Sequence, residues 1–123
     1  MRNVRGIGID LCAIGRMRPC LTNERFLARC LTAEERDYLS GRGEQAAASL
    51  AGLWAAKEAA LKALGVGLSV PLKDVGVTHD EGGRPQYCLT GRAAELARGG
   101  ELLLSITHEG DMAAAFCVWQ AGE

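Results

Sequence analysis

The chain has 123 residues, 48% of them apolar and 24% charged, with a net charge of −1, the balance of a single ordinary domain with a buried core. That charge leaves no global footprint for nucleic acid or a membrane surface, and two each of Trp, Tyr and Phe are too few for base-stacking platforms. No apolar run approaches the ~20 residues that span a bilayer, and Met1-Arg-Asn-Val-Arg-Gly6 lacks the apolar core and cleavage site of a signal peptide. Cysteines stand at 12, 20, 30, 88 and 117. Their odd number and the absence of Cys-x-x-Cys argue against a thiolate metal site. They read mostly as small buried hydrophobes of a reducing cytoplasm.

In chain order, Val4 to Leu11 alternates loosely and predicts a short strand, with Gly6 and Gly8 where something approaches the backbone closely. Asp is disfavoured inside a strand, so Asp10 either ends it or is there for chemistry. Residues 16–30 hold Arg16, Arg18, Arg25 and Arg29 against one acid, Glu24, with Met17, Leu21, Phe26 and Leu27 interleaved. This locally basic, partly apolar stretch is either a solvated face or a surface for an acidic protein. Asn23 can cap a short helix carrying Phe26 and Arg29. Thr32-Ala-Glu-Glu35 fits a capping box, predicting a helix to about Leu39 that Ser40-Gly-Arg-Gly43 breaks.

A long Ala- and Leu-rich helix is predicted from about Gln45 to Leu64, with Gly65 as its C-cap. At 100° per residue, Leu50, Leu53, Trp54, Leu61 and Leu64 form one arc. Glu58 lies at its edge and Lys62 one turn further on the same flank, either a surface pair or a reactive one. Lys57 points into the apolar arc, either snorkelling or reaching a ligand. Val75–His79 and Gln86–Leu89 read as strands joined by the Asp80-Glu-Gly-Gly-Arg-Pro85 turn. Thr90 is expected to cap a helix through Arg98, ended by Gly99. Leu102–Thr107 and Met112–Trp119 form a second hairpin across His108-Glu-Gly-Asp111. Strands at the start and in the second half imply an α+β class, with 1–123 as one domain and no linker or repeat.

Five stretches, in order, resemble the bacterial holo-acyl-carrier-protein synthases of the small 4′-phosphopantetheinyl transferase family: Gly6-Ile-Gly-Ile-Asp10, Phe26 with Leu31-Thr32-x-x-Glu35, Trp54-Ala-Ala-Lys-Glu-Ala-Ala-x-Lys62, Gly83-Arg-Pro85 and Leu104-Ser-Ile-Thr-His108. The resemblance covers nearly the whole chain. It implies that family's fold, a long central helix packed on an antiparallel sheet. It also implies transfer of the phosphopantetheine arm of coenzyme A to a serine of apo acyl carrier protein, releasing 3′,5′-ADP, in fatty acid or polyketide synthesis. Mg2+ is the implied cofactor, held by Asp10 and Glu58, an arrangement that suits a hard cation. The catalytic set would be Glu58, Lys62 and His108, with Lys62 serving the leaving group. Lys57, Arg84, Pro85, Ser105 and His108 would contact coenzyme A. The carrier would dock on Arg16, Met17, Arg18, Phe26 and Arg29. The general base is Glu58 or a metal-held water. Family members of this size are homotrimers with active sites at subunit interfaces.

Three positions depart from the family pattern. Ala13 replaces a Glu, Leu53 an Arg that contacts phosphate or structure, and Thr107 a frequent Ser. His79 has no family counterpart and reads as a hairpin residue. Two other functions fit some of these features. One is a non-catalytic module that binds the carrier or coenzyme A; the other is a hydrolase or nucleotidyl enzyme using the same carboxylates on another pyrophosphate.

Overall fold

The computed structural model describes residues 3–67 and 69–122. Strand β1 (Val4–Ala13) lies at one edge of a three-stranded antiparallel sheet ordered β1-β5-β4, with β4 spanning Glu101–Glu109 and β5 Met112–Gln120. Strands β2 (Val75–His79) and β3 (Pro85–Leu89) form a separate hairpin. Helix α4 (Ala46–Leu64) packs against both. Short helices α1 (Ile14–Met17), α2 (Glu24–Cys30) and α3 (Ala33–Ser40) precede it, and α5 (Gly91–Ala97) links β3 to β4. The α+β class and the long helix on an antiparallel sheet are as expected.

The inward residues of β1 are small because strand and helix meet backbone to backbone. A Cβ added at Gly8 would stand 1.9 Å from the carbonyl oxygen of Ala59, and one at Gly6 1.9 Å from that of Ala63. Helix α4 is buried nearly all round rather than on one arc: Leu50, Ala51, Ala55, Ala56, Ala59 and Ala60 are all fully enclosed. The reason is that the sheet covers one side while β2 and the short helices cover the rest. Alanine tolerates this because it loses no side-chain entropy on burial.

Lys57 does not snorkel. Its side chain is 0% exposed and pairs with Glu35, also 0% exposed, at 2.9 Å. Glu35 is the last member of the capping box of α3, in which Thr32 Oγ1 accepts from the Glu35 N–H.

Several boundaries differ from the expectation. Strand β1 runs two residues further, so Asp10 sits within it, opposite Ala115. The basic stretch 16–30 is broken into α1, a 3-10 turn over Arg18–Thr22 with Pro19 near its start, and α2; Asn23 caps α2 by accepting from the Phe26 N–H at 3.1 Å. Thr90 stands at the N-cap of α5 without a capping side-chain bond, and Asp74 Oδ2 accepts the Arg92 N–H instead. Arg98 itself takes the left-handed conformation that ends α5. Strand β4 extends through His108, which leaves the turn to Gly110 and Asp111.

Gly8→Ala should destabilise the protein by at least the ~1–3 kcal/mol typical of overpacking, because the clash is with helix backbone that no rotamer can relieve. Urea unfolding of the two proteins measures this.

Candidate active site

At one end of α4 the inward face of β1 brings Asp10 beside Glu58 and Lys62. Lys62 Nζ lies 3.2 Å from Asp10 Oδ1 and donates to the carbonyl of Ile9 at 2.9 Å. The Lys62 side chain is 54% exposed and that of Asp10 18%, so the pair sits at the rim. The Glu58 carboxyl is pushed above the usual carboxylate range, first by burial and then by the charge of Asp10, against the opposing pull of Lys62 and Arg16. Two carboxylates thus share one field, with two cations close by. Cys12 lies in the same field, but burial raises its thiol and keeps it protonated. Among the described residues no group of three or more His, Cys, Asp or Glu could hold a metal ion. The Asp10–Glu58 pair is the donor set of a hard cation that takes one or two carboxylates and fills its remaining positions with phosphate and water, as Mg2+ does.

His108 is not part of that cluster within one chain. Its Nε2 lies 2.9 Å from the carbonyl of Ala48, near the other end of α4. Ala48 and Glu58 are ten residues apart along the helix, about 15 Å at 1.5 Å per residue. A carbonyl only accepts, so Nε2 carries the proton and Nδ1 is left for a ligand or solvent. His108 lines a cleft of about 180 Å3 with Tyr38, Arg42, Gly52, His79 and Pro85. The floor is tight: a Cβ on Gly52 would meet Ile106 at 3.2 Å and His108 Nε2 at 3.3 Å.

The remaining residues expected to contact coenzyme A divide. Pro85 lines this cleft. Arg84 is exposed next to it, facing the gap between β3 and β4. Ser105 lies on the opposite, outer face of the sheet, paired with Phe116, so it does not line the cleft of its own chain. Lys57 is a correction. Its three protons are taken by Glu35 and by the carbonyls of Leu72 and Val75, and no phosphate can reach it. Leu53, where the family often has Arg, is 1% exposed and packs under the cleft.

On the basic side, Arg16, Arg18 and Arg29 are exposed and Phe26 is half-buried, its ring 5.7 Å from that of Trp54. Phe26 and Arg29 edge an apolar cleft of about 380 Å3 closed by Cys30, Trp54, Val70, Pro71 and Leu72. Met17 is the second correction. It is 2% exposed and packs in the core beneath α1, so it supports the surface without forming it. All five cysteines are free, and three of them are buried.

Sequence reasoning missed Tyr38, Arg42 and His79. The Tyr38 and His79 rings stack at 4.0 Å and 12°, and the Arg42 guanidinium lies 5.4 Å from the Tyr38 ring centre. These residues come from α3, the turn after it and β2, so no local spacing signals the cluster. Burial lowers the pKa of His79, and the charge of Arg42 lowers it further. The fold thus favours the neutral ring, while the unfolded chain takes up a proton near pH 6.5. The contribution is fully present above that pH and is lost as pH falls through it. The drop in urea midpoint between pH 7.5 and pH 5.5 should be smaller in His79→Gln than in the unaltered protein.

Residues 6–117 match the family model of the 4′-phosphopantetheinyl transferase superfamily. A holo-[acyl-carrier-protein] synthase of Myxococcus xanthus is 43% identical over 123 residues, covering 96% of each chain. The crystal structure of the Bacillus anthracis holo-(acyl-carrier-protein) synthase in complex with CoA (3′,5′-ADP) superposes with a TM-score of 0.82 at 31% identity, covering 99% of this chain and 100% of that one. The Helicobacter pylori synthase in complex with coenzyme A gives a TM-score of 0.76 at 28% identity, covering 90% of this chain and 96% of that one. With its carboxylate pair on β1 and α4 and these relatives along its whole length, the chain belongs to the 4′-phosphopantetheinyl transferase superfamily.

Proposed function

We propose that this protein transfers the 4′-phosphopantetheine arm of coenzyme A to a serine of apo acyl carrier protein in the cytoplasm, with Mg2+ as cofactor. The carrier's serine oxygen bonds to the phosphorus bearing the pantetheine arm, the bond from that phosphorus to the leaving phosphate breaks, and 3′,5′-ADP departs. The serine proton passes to Glu58, directly or through a water. The observation that carries this reading is the shared field of Asp10 and Glu58, a carboxylate pair that burial makes costly and that a divalent cation would relieve. The metal, when bound, would neutralise charge on the phosphoryl group. Lys62, already bonded to Asp10, would offset charge on the 5′-phosphate of the departing 3′,5′-ADP. His108 and Arg42 would meet phosphate, and the Tyr38–His79 stack and Pro85 the nucleotide. The exposed arginines and the cleft beside Phe26 suit a carrier that offers acidic and apolar side chains.

Within one chain His108 and the carboxylates are on opposite ends of α4. The outer sheet face suggests how they are brought together. Val4, Ile7, Ile9 and Leu11 are each at least 60% exposed, and Phe116 and Leu103 continue the patch. A contiguous apolar face of this kind marks an interface. Copies meeting there would let the His108 cleft of one subunit serve the carboxylates of the next, and the family resemblance supports a homotrimer.

Apo acyl carrier protein mixed with this protein, coenzyme A and Mg2+ should gain the mass of one phosphopantetheine arm. Glu58→Gln or excess chelator should abolish the gain. A folded protein that binds coenzyme A yet modifies no carrier would instead be a binding module, and 3′,5′-ADP released without carrier would mark a hydrolase. Ile9→Asp should shift the sedimentation mass to that of one chain and lower transfer at least tenfold. An unshifted mass would remove the sheet face from the assembly.

A further inference from the structure

The buried pair Lys57–Glu35 does more than fill the core. Lys57 Nζ donates to Glu35, to the carbonyl of Leu72 at 3.0 Å and to that of Val75 at 2.9 Å. Glu35 accepts the Thr32 N–H at 2.8 Å through one oxygen and the Val77 N–H at 2.7 Å through the other. One pair thus ties α4 to the start of α3, to β2 and to the 3-10 turn Leu72–Asp74. That turn forms one wall of the apolar cleft, with Leu72, Pro71 and Val70. Trp54, which lines the same cleft with Phe26, lies on α4 one turn before Lys57. Lys57 therefore links the helix that carries Trp54 to the turn that carries Leu72. A hydrophobic pair of similar volume is often at least as stable as a buried ion pair, which makes this pair weak evidence for a stabilising role.

We infer that Lys57, with Glu35, is a positioning residue for recognition of the carrier protein: it touches no substrate and holds the Leu72 wall in register with Trp54. The inference rests on the docking surface proposed above.

The test is steady-state kinetics on Lys57→Met/Glu35→Gln, which removes the tether without stranding a buried charge, backed by calorimetric titration of apo carrier. The KM for carrier and the carrier Kd should rise about tenfold, while kcat and the KM for coenzyme A stay within about twofold. Unchanged values in a folded variant would overturn the inference, since a merely stabilising pair leaves all of them alone. A fall in kcat with the carrier KM unchanged would overturn it too, by placing the effect at Glu58. Arg29→Glu, on the cleft rim, separates the two readings. If it raises the carrier KM but the double variant does not, the surface stands and the positioning role fails. If neither does, the surface is misassigned and the inference falls with it. Should the double variant not fold, Lys57→Gln/Glu35→Gln, neutral at both positions and too short at 57 to reach both carbonyls, is read by the same outcomes.

Discussion

The proposed active site depends on how closely β1 lies against α4. At Gly6 and Gly8 nothing but backbone separates strand and helix. The next inward residue along the strand is Asp10, so the same approach that excludes a methyl group at position 8 delivers a carboxylate to the flank of α4 carrying Glu58 and Lys62. Holding two carboxylates in one field is unfavourable on its own. The glycine contact maintains it geometrically, and Lys62 and Arg16 offset part of the repulsion.

Helix α4 carries three charges in six residues, and neighbouring positions meet opposite fates. Lys57 and Glu58 are about 100° apart around the helix. Position 57 faces the β2 side, where no water reaches it, and burying its ammonium costs several kcal/mol unless every proton is satisfied. Glu35 and two carbonyls satisfy them. Position 58 faces β1, where the rim stays open, and its neighbours leave it available. An acid kept partly desolvated next to another acid is the arrangement the proposed active site needs, whereas an ion pair closed on itself serves the scaffold. The two stand side by side in sequence because a helix changes environment with every residue.

Much of the fold was legible. The capping box at Thr32, the Asn23 cap, the long helix and both hairpins rest on local chemistry that a sequence displays directly. The carboxylate pair was legible through motif resemblance and through the oddity of Asp in a strand. What escaped depends on layers that no local window contains. Lys57 looks the same in sequence whether its stem ends in water or in Glu35, because the residue that decides lies 22 positions upstream. Met17 carries an interleaved pattern like that of Phe26, yet the 3-10 turn at Pro19 rotates one inward and leaves the other at a cleft edge. The Tyr38–His79 stack joins a helix to a strand 41 residues on. Ser105 and His108 sit three residues apart on β4, and the period of two puts them on opposite faces.

That alternation also explains why the outer sheet face matters for the chemistry. On β1 the inward set, Gly6, Gly8, Asp10 and Cys12, lies against α4, while the outward set, Ile7, Ile9 and Leu11, lies open. β1 is an edge strand packed on one face only, and any movement of β1 is movement of Asp10. Full burial of an Ile or Leu is worth ~1.5–3 kcal/mol, so sealing the outer face in the proposed assembly would clamp the strand from both sides. The proposed assembly, if it brings another subunit's histidine to each site, would then also hold the carboxylate in place. In that proposed assembly, oligomer and metal site would form one mechanical system, with β1 as the part they share.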